Sequence, residues 1–174
     1  DAGQPEKVMC IPIDYAKRVP DIVRFCAPIR KALAGVPKNV RIIAEPGRFI
    51  AGPSAIGVAS VMGRAQRAGL WWYYLDDGVY GSYSGRIMDH AEYPIESLRQ
   101  GGELKPSVLA GPTCDSIDVI AENILLPRLK DGDLIVGRAM GAYTWASASE
   151  FNFFPRATVV SVNETPGDGG KVEG

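Results

Sequence analysis

The sequence predicts a mostly β fold entered through a short α/β unit, and three observations carry that expectation. Residues 8–44 read as strand, helix, strand, the grammar of an α/β unit. Beyond Arg48 the apolar segments are rich in Val, Ile, Trp and Tyr and are separated by polar or Gly-containing breaks. No amphipathic helix of ordinary length follows them.

Taken in order, Val8–Ile13 is an apolar run with the length of a strand. Pro20-Asp21 opens a helix in which Ile22, Phe25, Cys26, Ile29 and Leu33 recur at helical spacing until Gly35. Pro28 falls inside that pattern, and its missing N–H predicts a kink or an early break. Val40-Arg41-Ile42-Ile43-Ala44 reads as a buried strand ending in Glu45-Pro46-Gly47-Arg48. An antiparallel β domain is expected next. Its strand candidates are Phe49–Met62, Leu70–Leu75, Ser107–Ala110, Asp133–Val136 after the Asp131-Gly132 turn, and Thr158–Val162. Gly111-Pro112 ends the third of these, and Ile117, Ile120 and Ala121 beyond it predict a short helix or turn. From Glu164 onward the composition is that of a disordered end.

A chain of 174 residues with 46% hydrophobic content suffices for one ordinary domain with a real core. A net charge of -1 without a long Lys/Arg run gives no electrostatic footprint for nucleic acid or an anionic membrane, so neither partner is expected. The odd cysteines Cys10, Cys26 and Cys114 have no C-x-x-C spacing and only His90 as a possible imidazole ligand. Neither a disulfide framework nor a metal site is favoured, and reduced thiols fit a cytoplasmic protein. No segment approaches the roughly 18 apolar residues of a membrane span, and no signal peptide is apparent. The chain opens at Asp1 without Met, which raises the expectation of a fragment.

Five short segments carry polar groups where apolar ones would be expected. Gly111-Pro112-Thr113-Cys114-Asp115-Ser116-Ile117-Asp118 sets a thiol beside a carboxylate in a Gly-Pro turn; it is either a site or a small buried Cys with Asp115 as a cap. Glu45 and Arg48 flank a Pro-Gly turn, where Gly47 allows close backbone approach to a ligand, or they form a surface ion pair. Asp76-Asp77-Gly78-Val79-Tyr80-Gly81-Ser82 reads alone as a hairpin loop. Asp89-His90 ends a strand at Ile87-Met88 as a site carboxylate or a solvated turn. In Gly141-Ala142-Tyr143-Thr144, Tyr143 could be a core aromatic with a satisfied hydroxyl.

In this order and spacing, the five segments resemble the C-terminal half of the eukaryotic-type ornithine/lysine decarboxylases, over about Asp1 to Val162. These are pyridoxal 5'-phosphate (PLP) enzymes of the alanine-racemase-like barrel class. The resemblance implies a TIM-like barrel ending within residues 1–50, a C-terminal β-barrel or sandwich-like domain over 51–163, and a flexible tail over 164–174. It implies a homodimer with shared active sites that decarboxylates a basic diamino acid, L-ornithine to putrescine or L-lysine to cadaverine, in polyamine biosynthesis. Glu45 resembles the carboxylate that pairs with the pyridine nitrogen, and Arg48 the arginine that binds the phosphate, with Gly47 between them. Tyr143 resembles the tyrosine that contacts the same phosphate. Asp89 and Asp115 resemble the acids that receive the distal ammonium of the substrate, Asp115 from the partner subunit. Cys114 resembles the thiol that returns a proton to the α-carbon.

The sequence also departs from the family pattern. The strand bearing the lysine that holds the cofactor covalently is missing, and no lysine here lies in a comparable motif, so this chain alone is expected to be inactive. A Gly-rich phosphate loop would fall at Asp1-Ala2-Gly3-Gln4-Pro5, where only Gly3 is a candidate remnant. Alternatives implied by the same resemblance are a diaminopimelate or arginine decarboxylase and a non-catalytic homologue of the antizyme-inhibitor kind. Asp115 speaks against diaminopimelate, because those relatives usually carry Cys-Glu at this point.

Overall fold

The computed structural model describes residues 21–45 and 47–162. The expected strand at Val8–Ile13, the Gly3 remnant and the tail 164–174 lie outside the described residues.

Helix α1 (Ile22–Leu33) is started by Asp21, whose carboxylate accepts from the Val23 N–H at 2.8 Å. It runs unbroken through Pro28 to the Ala34 cap. The expected break does not occur. Proline removes one i→i−4 bond, and on an exposed helix the freed carbonyl can turn to water. Phe25 leaves this helix to stack on Phe49, with ring centroids 5.0 Å apart.

Two strand expectations on either side of the β domain fail for one reason. Residues 40–44 and 158–162 are extended or bent chain without a ladder partner among the described residues. An apolar run makes a strand only where a neighbouring strand takes its N–H and C=O groups. Both runs instead stand open, with Ile43 at 70% and Val160 at 73% exposure. The expected strand from Phe49 to Met62 begins late: residues 48–51 form one helical turn, α2 (Arg48–Ala51), continued by a 3-10 turn over Gly52–Ser54. Pro53 at the start of that turn has its φ already set for it.

The domain is built on a six-stranded sheet. Its strands are β1 (Gly57–Arg67), β2 (Leu70–Leu75), β3 (Ile95–Ser97), β4 (Lys105–Ala110), β5 (Val119–Leu126) and β6 (Leu134–Gly137). The order across the sheet is β3-β6-β1-β2-β4-β5. Strand β1 pairs with β6 through Gly57–Ser60 and with β2 through Val61–Arg67, and its register shifts between Val61 and Gly63. Such an irregularity bends the strand, and the sheet curls into a nearly closed barrel. Two corrections follow. The sheet is mixed, because β2 and β4 run parallel, with Trp71 opposite Ser107 and Tyr74 opposite Ala110. The segment expected to be a short helix or turn is a turn only at Ser116-Ile117 and becomes strand β5 from Val119, where Ile120, Ile124 and Leu126 face the core from one side.

Ala59, Val61, Tyr73, Leu75, Leu109, Ile120 and Ile135 point into the barrel and form its core with Val79, Tyr83 and Leu129. The Tyr73 hydroxyl is satisfied there by the Leu129 N–H at 3.2 Å. No helix among the described residues is long and apolar enough to cross a membrane.

Tyr73→Phe keeps the ring and strands the buried Leu129 N–H. The expected cost is about 1–3 kcal/mol, read as a lower denaturant midpoint without a change in slope.

Candidate functional site

The site is built at the end of the barrel where the parallel strands β2 and β4 finish. Strand β2 runs into the loop Asp76–Ser84, and β4 into the turn Gly111–Asp118. The first is not a simple hairpin, because it leads into a one-turn helix, α3 (Gly85–Met88), rather than into a paired strand. The two loops share one buried carboxylate. Asp118 is 2% exposed; its Oδ1 accepts from Val79 N–H at 2.9 Å. Its Oδ2 accepts from the Thr113 N–H at 3.0 Å and the Thr113 hydroxyl at 2.7 Å. Gly78 and Gly111 wrap this carboxylate so closely that a Cβ on either would overlap it.

On that base stand Cys114 and Asp115. Asp115 Oδ2 accepts from the Tyr80 hydroxyl at 2.6 Å, and Oδ1 from the Ile117 N–H at 3.1 Å. The Tyr80 bond first, and the Ile117 bond second, hold the Asp115 carboxyl below its ordinary range. The same bond, with lesser help from burial and the Asp115 charge, pushes the Tyr80 phenol up to about 12. The Tyr80 ring is fixed from above by Phe151, with centroids 4.2 Å apart. Cys114 is exposed and accepts from Asn152 Nδ2 at 3.8 Å, so it is not the small buried core residue that its type suggests. Asp115 caps no helix; it bonds within its own turn.

A second group assembles around Arg48, the first residue of α2. Arg48 is ion-paired to Asp89 and lies over the Tyr143 ring, 4.7 Å from its centroid. Asp89 is the C-cap of α3, so it ends a helical turn and not the strand expected from Ile87-Met88. Tyr143 is 56% exposed, with φ at 54°, and is no core aromatic. Its carbonyl and that of Thr144 accept from the Ser84 hydroxyl at 3.4 and 3.3 Å. Gly141 lets this segment close on α2: its N–H donates to the Gly52 carbonyl at 2.9 Å, where a Cβ would meet the Ala51 carbonyl. Glu45 is exposed ahead of this turn, and Gly47 is the N-cap of α2.

Of the residues singled out in the sequence, the structure thus brings Arg48, Asp89 and Tyr143 into contact and sets Cys114 beside Asp115. It adds Tyr80, Asp118, Phe151 and Asn152. Tyr80 and Asp118 sit inside motifs already noticed, whereas nothing local marks Phe151 and Asn152, which arrive by packing. The donor set suits PLP: Glu45 is a carboxylate for a protonated ring nitrogen, and Arg48 with Tyr143 offers a guanidinium fork and a phenol for a phosphate. Asp89 occupies part of that fork, so a phosphate arriving at Arg48 shares it or displaces Asp89.

The Tyr80–Asp115 bond has a pH signature. The depressed Asp115 pKa contributes stability above the ordinary value of 3.8, lost as pH falls through the folded value. The raised Tyr80 pKa contributes stability that is complete below 10.0 and lost as pH rises through about 12. The stability gap between wild type and Tyr80→Phe is therefore expected to be flat from about pH 5 to 9 and to shrink at both extremes. Denaturation at about pH 7 and pH 11 checks it, and a gap equally wide at both would count against the bond.

Residues 49–141 match the family model described as pyridoxal-dependent decarboxylase, C-terminal sheet domain. A Vibrio vulnificus lysine/ornithine decarboxylase complexed with cadaverine is 60% identical, with a TM-score of 0.84 over 88% of this chain and 42% of that one. The same enzyme's putrescine complex is 58% identical, with a TM-score of 0.81 over 87% of this chain and 41% of that one. A lysine/ornithine decarboxylase of Selenomonas ruminantium is 36% identical over 146 residues, 84% of this chain and 37% of the relative. The chain thus spans about two fifths of the length of the relatives it matches. The family match covers more than half of the sequence, and the chain belongs to the pyridoxal-dependent decarboxylases, of which it carries the C-terminal sheet domain.

Proposed function

We propose that this chain is the C-terminal part of a PLP-dependent decarboxylase of basic diamino acids, acting on L-ornithine or L-lysine in polyamine biosynthesis. The observation that carries it is the Asp115 carboxylate, held ionised by the Tyr80 hydroxyl beside the exposed thiol of Cys114. An ionised carboxylate at a loop rim suits a substrate with a distal ammonium, and the diamines in the Vibrio complexes are of that chemistry. In this proposal residues 1–50 end the barrel, 51–163 are the sheet domain and 164–174 a tail. The exposed apolar runs at 40–43 and 159–162 support a larger body, since faces of that kind are usually covered. The free thiols of Cys26 and Cys114 support a cytoplasmic setting.

Within the active site, Glu45 would hold the proton on the cofactor's ring nitrogen, and Arg48 and Tyr143 would hold its phosphate. The bound cofactor supplies an electron sink for the bond to the departing carboxylate. Asp115 binds and orients the distal ammonium. Asp89, once phosphate competes for Arg48, is released from that ion pair to become the second carboxylate for the same ammonium. Cys114 Sγ carries the proton that the α-carbon receives after CO2 leaves. Asp115 and Cys114 come from a different loop than Arg48 and Asp89, which is compatible with a homodimer in which the two loops meet across subunits.

In the full-length protein, Asp115→Ala removes a charge-assisted hydrogen bond to the substrate. The expected loss is about 1.5–3 kcal/mol, roughly tenfold to a hundredfold in kcat/KM for diamino acids, with PLP affinity almost unchanged. An equal fall in PLP affinity would assign Asp115 to the fold. Cys114→Ala is expected to keep the PLP spectrum, slow turnover and raise the share of aldehyde relative to diamine. An unchanged ratio with a lowered melting temperature would make Cys114 a packing residue.

A further inference from the structure

A cavity of the domain lies away from the candidate site. It has a volume of about 480 Å³ and is lined by the starts of β2 and β4, the end of β5 and the loop joining β3 to β4. Because β2 and β4 are parallel, their starts lie at the opposite end of the sheet from the loops that carry Tyr80 and Cys114. Five steps of β4, at about 3.3 Å per residue, set Lys105 roughly 16 Å from Ala110.

Its charged lining residues are mainly cationic. Arg99, Lys105 and Arg128 face it, against one carboxylate, Glu103. Their commitments differ. Arg99 gives its Nη1 to both oxygens of Asp133, at 3.3 and 3.2 Å, which orients the guanidinium and leaves its other nitrogens for a ligand. Lys105 is paired with Glu103 at 3.0 Å, but these side chains are 58% and 77% exposed, and such pairs yield readily to a better anion. Arg128 has no carboxylate partner among the described residues; its guanidinium lies 5.0 Å from the centre of the Trp71 ring. That ring fixes the plane of the fork without neutralising its charge. Between the cations, Gly101 and Gly102 have φ of 76° and 96°, a backbone that L side chains rarely adopt. Neither N–H donates to a backbone carbonyl among the described residues, so both remain available to an acceptor.

We propose that this cavity is a binding site for a small phosphate-bearing polyanion. Arg128 and Lys105 would be its charge partners, the Gly101-Gly102 backbone its neutral donors, and Trp71 the platform that holds Arg128 in place. Guanidinium forks and bare backbone N–H groups suit phosphate oxygens in particular.

The test uses the full-length protein saturated with PLP, so that the cofactor's own phosphate site is filled, and inorganic pyrophosphate as the probe. Titration calorimetry at constant ionic strength should show saturable binding. Arg128→Ala should weaken it about tenfold and Arg128→Lys by less, because the charge stays while the fork is lost. Lys105→Gln should also weaken it. Arg67→Ala, which removes an arginine stacked on Trp72 and Tyr74 outside the cavity, should leave it unchanged. The tryptophan emission of each variant before titration reports whether it has folded. No saturable binding, or an equal loss in the Arg67 and Arg128 variants, would overturn the proposal. So would sulfate binding as tightly as pyrophosphate at matched ionic strength, which would reduce the effect to charge screening.

Discussion

The Asp118 carboxylate is the constraint on which the candidate site rests. A charge buried to 2% exposure is tolerable only when its oxygens are bonded, and the bonds available are N–H and O–H groups from two separate loops. Holding Val79 fixes where Tyr80 begins, and holding Thr113 fixes where Cys114 begins. Gly78 and Gly111 follow from the same requirement, because the carboxylate takes the space their side chains would need. The Tyr80–Asp115 bond is therefore a consequence of burial beneath it as much as of its own two partners.

Around Arg48 the constraint is charge balance. A guanidinium that is only partly exposed needs a counter-charge, and Asp89 provides one. The residues proposed for opposite tasks, one for an anion and one for a cation, thus neutralise each other. A cofactor phosphate at Arg48 would set Asp89 free for an ammonium, so filling one half of such a site prepares the other.

How far the sequence discloses all this depends on the range of the interaction concerned. The ends of β4 at Gly111-Pro112 and of α1 before Gly35 are written locally, by turn residues, and are legible. The run 40–44 is as apolar as β2, and nothing within it says that it lacks a neighbour, so pairing decides what composition cannot. Beyond the Ser116-Ile117 turn, strand β5 is misread because Ile117, Ile120 and Ala121 fit a helical period by chance, while Ile120, Ile124 and Leu126 face the core from a strand that pairs with β4. Cys114, Asp115, Arg48, Asp89 and Tyr143 are legible through motif order. Tyr80 and Asp118 are visible but without a role until the loops are set side by side. Phe151 and Asn152 carry no local mark, since their work is done on residues far away in the chain.

The parallel pairing of β2 with β4 has a consequence for what counts as the smallest unit of the site. An antiparallel hairpin would have left the Tyr80 loop and the Cys114 turn at opposite ends of the barrel. Parallel pairing requires the chain to cross back through α3 and β3 before β4 begins, and only then do both loops emerge on one rim. Tyr80 and Asp115 are separated by 35 positions in the chain. The hydrogen bond between them is thus a property of the assembled sheet, and a peptide copied from either loop would contain the residues without the site.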